Sequence, residues 1–191
     1  MQQGLAAAQL TGTELGRVNF LAPLAAAYGR VGRGEEGLSV VSEALDLVRR
    51  TQACSTEAGL YWLKGELTLQ SKTSPRQVSG KSQTSPKSKV QSRKQFSVIS
   101  SQLSVPNAQS PTSKAQSEAE MCFLKAIEVA QRQQAKSLEL RASTSLARLW
   151  QQQGKRKEAH EVLANIYGWF TEGFGTKDLQ EAKALLEELS Q

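Results

Sequence analysis

The chain has 191 residues, 24 Lys and Arg against 18 Asp and Glu, a net charge of +6 and 39% apolar residues. That is enough for one ordinary domain, and no apolar run reaches the length of about 18 residues that a membrane span needs. Two cysteines without a CxxC partner and a single histidine exclude a metal set and a disulfide framework, and the start lacks the pattern of a signal peptide, so a reducing, cytoplasmic setting is expected.

In chain order, Met1–Leu10 reads as the last turns of a helix, broken by Gly12 and Thr13. Glu14–Val31 follows as a long helix with Leu15, Val18, Leu21, Leu24, Ala25 and Tyr28 on one face. GRVGRG (Gly29–Gly34) makes a turn, and Glu35–Arg50 returns with Leu38, Val41, Leu45 and Val48 inward. Arg49 and Arg50 complement the negative end of its dipole. Thr56–Gln70 is a third helix carrying Leu60, Leu63 and Leu67.

Ser71–Gln116 is different in kind. It is rich in Ser, Lys, Gln, Thr and Pro, has no Asp or Glu, and carries a charge of +8, which leaves −2 for the remainder. Such a segment buries too little apolar surface to offset its ordering entropy, and is expected to be a disordered insert. A helix–helix turn tolerates it because closure entropy grows slowly with loop length. After it, Ser117 and Glu120 form an S-x-x-E pattern that predicts a helix start, running to about Gln134. Ser137–Gln153, a turn at Gly154, Arg156–Phe170, and a final helix capped by Thr176 with Asp178 in its first turn complete the chain.

These elements repeat. Ala25, Tyr28, Gly37, Val41 and Ala44 recur as Ala147, Trp150, Ala159, Leu163 and Ile166, and in part as Gly65 with Ala119, Phe123 and Ala126. Ala25 to Gly65 spans 40 positions, and Gly65 to Ala147 spans 82. Gly65 to Ala119 spans 54 positions where Ala25 to Gly37 and Ala147 to Ala159 span 12, the same excess of 42, so both spacings place the insert between the two helices of the middle copy. Small residues at these positions let helices approach closely, and stacked copies bury one continuous core.

The pattern resembles tetratricopeptide repeats, with a period of 40 rather than 34. The resemblance implies an all-α, right-handed solenoid of helical hairpins with about seven helices. The units expected are 1–70 (the end of a preceding repeat, repeat one and half of repeat two), the insert 71–116, 117–175, and a capping helix 176–191. More narrowly, AKSLELRASTSLARLWQQQGKRKEA and YGWFTEGFGTKDLQEAKALLEEL are similar to the carboxyl end of large bacterial signalling ATPases, which place a cyclase, kinase or DNA-binding domain first and a repeat array last. AYGRVGRGEEGL and CFLKAIEVAQRQ are similar to that array too. The resemblance implies a terminal piece or short form without the family's ATP-binding residues, and therefore no catalysis and no cofactor.

Other chemistry finds little support in the residues. GRVGRG is not followed by GK[ST] and follows a helix, so it is a turn rather than a phosphate loop. His160 is expected as an exposed helix residue without a nucleophile to activate. Glu181, Glu187 and Glu188 read as a solvated face. Tyr167, Trp169 and Phe170 are expected to pack between the third hairpin and the last helix, the alternative being a hot spot for a partner. The basic insert has one aromatic, Phe96, and no nucleic-acid motif, so a linker is preferred to a nucleic-acid or anionic-surface binder.

In such an array the first helices line a concave groove. The residues expected there are Asn19 and Arg30 in copy one, Trp62 and Glu66 in copy two, and Arg141, Thr144, Arg148, Gln151 and Gln152 in copy three. A protein or peptide, or a neighbouring ATPase or cyclase domain, is the expected partner, with Trp62 either its anchor or an aromatic packed on the adjacent repeat, and Arg141 and Arg148 as partners for acidic groups.

Overall fold

The computed structural model describes residues 14–51, 54–73 and 111–191. Among them are seven α-helices and no strand: α1 (Glu14–Arg30), α2 (Gly34–Thr51), α3 (Glu57–Thr73), α4 (Pro111–Arg132), α5 (Lys136–Gln152), α6 (Arg156–Tyr167) and α7 (Lys177–Leu189). A short 3-10 turn, Cys54–Thr56, leads into α3. The expectations for Met1–Leu10 and for 74–110 lie outside the described residues.

Each helix packs on the next along the chain, and α1, α3, α5 and α7 also touch one another in that order. The odd-numbered helices therefore share one face. The tight crossings are made where a side chain is missing. Gly37 lies against Leu67 and the Ala25 carbonyl, where an added Cβ would stand 3.0 and 3.2 Å away. Gly65 lies under Phe123, where a Cβ would stand 2.5 Å from Cε1. Ala25, Ala119, Ala147 and Ala159 have no exposed surface. Dispersion falls off steeply with distance, so removing bulk on one helix is what lets large residues on the other make their contacts.

Three connections share one geometry. After α1, Arg33 N–H donates to the Tyr28 carbonyl (2.9 Å) and Gly32 takes φ 75°. After α5, Lys155 N–H donates to the Trp150 carbonyl (2.9 Å) and Gly154 takes φ 79°. After α4, Ala135 N–H donates to the Ala130 carbonyl (2.9 Å), but the left-handed residue is Gln134, at φ 55°. This is the bond from one residue past the left-handed position back into the last turn that closes many helices. The first two glycines suit it; Gln134 carries the steric cost of a Cβ there.

At the helix ends the structure corrects three expectations. Ser71–Thr73 and Pro111–Gln116, read as the ends of the insert, are helical. Ser117 therefore caps nothing: it sits inside α4, and its hydroxyl donates to the Ser113 carbonyl at 3.1 Å. Proline suits the first turn of α4 because its missing N–H would have no helical partner there, and Ala115 continues the buried line of Ala119 and Phe123. Thr176 does stand at the N-cap of α7, but without a capping bond; its hydroxyl donates to the Gly173 carbonyl at 2.8 Å.

Candidate groove across helices α3, α5 and α7

Five of the nine anticipated groove residues come together. Trp62 and Glu66 of α3, with Arg141, Thr144 and Arg148 of α5, line a hollow of about 230 Å³. Its other wall is α7, through Lys177, Asp178 and Glu181. The reason is helical phase. Trp62 and Glu66 are four apart, and Arg141, Thr144 and Arg148 stay within one stripe, so each set points from one side of its helix.

The floor is a hydrogen-bond chain. Trp62 Nε1 donates to Ser145 Oγ (3.0 Å), and Ser145 donates onward to Glu66 Oε1 (2.6 Å). The indole N–H of Trp62 and the hydroxyl of Ser145 thereby both have partners, which is what burial requires. The Arg141 guanidinium lies over the Trp62 ring at 5.4 Å. Trp62 also packs against the core on both sides, beside Leu63 and Leu67 and beside Phe123 and Leu146. It is at once a structural tie between α3 and α5 and a wall of the hollow.

The arginines are not left open to solvent alone. Arg141 donates to Asp178 Oδ2 (2.6 Å), Arg148 to Glu181 Oε2 (2.8 Å), and Gln151 to Glu188 Oε2 (3.3 Å). The hydrogen bond from Arg148 holds the Glu181 carboxyl below its ordinary pKa, against a smaller opposing effect of burial. Glu181 and Glu188, read as a solvated face, are thus the acidic partners of α5. An incoming acidic group would have to displace them.

The remaining candidates lie elsewhere or are differently placed. Thr144 is buried and its hydroxyl donates to the Leu140 carbonyl at 2.8 Å, so it offers the hollow no free donor. Gln152, Asn19 and Arg30 are exposed and stand outside the hollow. Ser145, Lys177, Asp178 and Glu181 were not anticipated; the signal was the carboxylates of α7 at 178, 181 and 188, which repeat along a helix much as Arg141 and Arg148 do.

Away from the hollow, the aromatic segment divides. Tyr167 and Phe170 pack on the core with Leu179 and Leu185, as expected, while Trp169 is 58% exposed. The Lys136 ammonium sits 5.7 Å from the Trp169 ring. His160 is half-buried rather than exposed, beside Arg156 and Lys157. Among the described residues no group of His, Cys, Asp and Glu is placed to hold a metal ion, and no helix is long and apolar enough to cross a membrane. Compared with known proteins, the chain matches no family model, and no curated protein is significantly similar to it.

Proposed function

We propose that the chain is a non-catalytic interaction scaffold of the tetratricopeptide type, a terminal helical-hairpin array such as those of bacterial signalling ATPases and cyclases. Its partner is a protein segment, or a neighbouring domain of such an ATPase, lying across α3, α5 and α7. The observation that carries this reading is the convergence of Trp62, Glu66, Arg141 and Arg148 on one hollow from two helices far apart in sequence. The order of packing supports it too: hairpin on hairpin, with the first helices of each in mutual contact, as stacking of repeats requires. Tryptophan and arginine are among the side chains that dominate binding energy at protein surfaces. Because Asp178 and Glu181 already hold both arginines, the segment that fits is one of mixed charge, making hydrogen bonds beside these pairs, rather than a run of acids.

Panning a random peptide library on the full chain tests this. Selected peptides are expected to lose at least tenfold in affinity on Arg148→Ala and on Trp62→Phe, with helicity retained by circular dichroism. They are expected to bind equally well when residues 74–110 are replaced by a short linker. Peptides indifferent to both substitutions, or dependent on 74–110, overturn the reading.

A further inference from the structure

One repeated pair is missing from the middle hairpin. Tyr28 and Trp150 each stand three residues after the small residue of a first helix, and each carries a cation five residues on. Arg33 lies 4.9 Å from the Tyr28 centroid, and Lys155 lies 5.8 Å from that of Trp150. In the middle hairpin the same two positions are Thr68 and Thr73. Ring and cation are both absent.

Trp150 shows what the ring does. It packs between the cores of the second and third hairpins, and its Nε1 donates to Glu120 Oε1 of α4 at 2.9 Å. The corresponding place beside Thr68, between α2, α3 and α4, is a cleft of about 550 Å³. It is lined by Leu38 of α2, by Tyr61, Lys64 and Thr68 of α3, and by Met121 and Cys122 of α4. That volume falls in the range of sites that enclose an organic ligand.

We propose that this cleft receives the aromatic side chain of a partner peptide, seated where the middle hairpin lacks the ring of the other two. Each requirement of such a ring has a counterpart. Leu38 and the half-buried Cys122 give apolar contact; burial raises the Cys122 pKa, so its sulfur stays a neutral thiol. Met121, 63% exposed, offers a thioether to the ring edge. Lys64 is a cation for the ring face, as Arg33 and Lys155 are in the other hairpins. Glu35 and Glu118 can accept an indole N–H as Glu120 does, and neither they nor Lys64 makes an ion pair among the described residues. A peptide fits better than a free aromatic molecule because Leu124, 45% exposed, continues the apolar surface of α4 beyond Met121. The proposal shares the hairpin register with the function proposed above, but not the α3–α5–α7 hollow.

The test uses the full chain carrying Cys54→Ser. The probes are a capped hexapeptide with a central Trp-Leu, the same peptide with Ala for Trp, and N-acetyltryptophanamide. Binding is read by amide NMR shifts and by protection of Cys122 from iodoacetamide. The Trp peptide is expected to slow alkylation at least fivefold at saturation and to shift the amides of Leu38, Lys64 and Met121, and the Ala peptide to do neither. Thr68→Trp is expected to abolish binding by filling the cleft. Should that variant fold poorly, Met121→Glu, at an exposed position, is expected to weaken binding at least tenfold. Arg148→Ala, in the other hollow, is expected to leave it unchanged. The proposal is overturned by no binding at millimolar Trp peptide, by equal binding of the Ala peptide, by indifference to Met121→Glu, or by an amide that binds as tightly as the peptide.

Discussion

The α3–α4 and α5–α6 hairpins meet one packing demand with different side chains. In the first, Gly65 faces Phe123; in the second, the equivalent residues are Ala147 and Leu163, both fully buried in one core cluster. The bulk at the crossing is divided differently, a large ring over no side chain against a medium residue over a methyl. The α1–α2 hairpin, with Ala25 and Val41 in its core, follows the second pattern. What recurs along the chain is the filled volume of each crossing, so the residue at one position is informative only together with its partner.

That comparison is broken most strongly at Phe123. Phe123→Ala leaves a cavity over a glycine that cannot fill it, and is expected to cost about 3–5 kcal/mol, against about 2–5 for Leu163→Ala over Ala147. Denaturant titration of both variants measures the difference; a smaller loss at Phe123 than at Leu163 would mean the ring is not the filler of that crossing. Gly65→Ala is the converse change. Its Cβ would stand 2.5, 2.8 and 2.9 Å from three ring atoms of Phe123, so the ring must move. The expected cost is about 1–3 kcal/mol. Adding Phe123→Leu to Gly65→Ala copies the third hairpin into the second. The double variant is expected to be more stable than the sum of the two single losses, a positive coupling that only neighbours show. Strict additivity would separate the two positions.

Much of this was legible because volume leaves a periodic trace. Gly65, Ala147 and Ala25 stand out by spacing, and the helices that carry them follow from apolar stripes one turn apart. The ends were less legible. Pro111–Gln116 has no acidic residue and shares its composition with the insert, so the S-x-x-E pattern of Ser117 looked like a start; the decisive interaction, Ala115 buried in line with Ala119, is tertiary. The α3 and α5 residues that line the hollow were legible from helical phase. Their partners Asp178 and Glu181 were not, because phase within one helix says nothing about which neighbour it meets. Gln134 was equally silent: nothing in QRQQAK marks a left-handed residue, and the turn is recognised only beside Gly32 and Gly154.

The three turns extend the comparison to backbone strain. Gln134→Gly gives the α4–α5 turn the residue its two counterparts use, and is expected to stabilise the chain by about 1 kcal/mol, relief of the left-handed strain outweighing the extra freedom of the unfolded glycine. Its side chain bond to the Gln131 carbonyl, at 3.0 Å, is lost in exchange. Thermal denaturation reads the net sign. Gly154→Gln is expected to lose stability by a similar amount, since Gly154 holds φ 79° with nothing around a Cβ to compensate. A loss at Gln134→Gly would show that the side chain bond, not the backbone, decides that turn.

The smallest effect expected separates α7 from the hairpins it adjoins. Arg148 and Glu181 are both partly exposed, so the pair is worth less than about 1 kcal/mol. Its pH dependence is the sharper signature. The Glu181 pKa is lowered in the folded chain, chiefly by the hydrogen bond from Arg148. A lowered carboxyl contributes stability that is fully present above its unfolded value and is lost as pH falls through the folded one. Arg148→Ala is therefore expected to flatten the stability curve on the acid side of about pH 4.3, the ordinary glutamate value, and to leave its slope between pH 6 and 8 unchanged. Hydrogen exchange should localise the change to α7, because the hairpins keep their apolar crossings. An acid slope that persists in Arg148→Ala would assign it to other lowered carboxyls, such as Glu128, held down by Lys125 on α4, and would leave α7 attached by its apolar face on Leu179, Ala182 and Leu185 and by the Arg141–Asp178 and Gln151–Glu188 bonds.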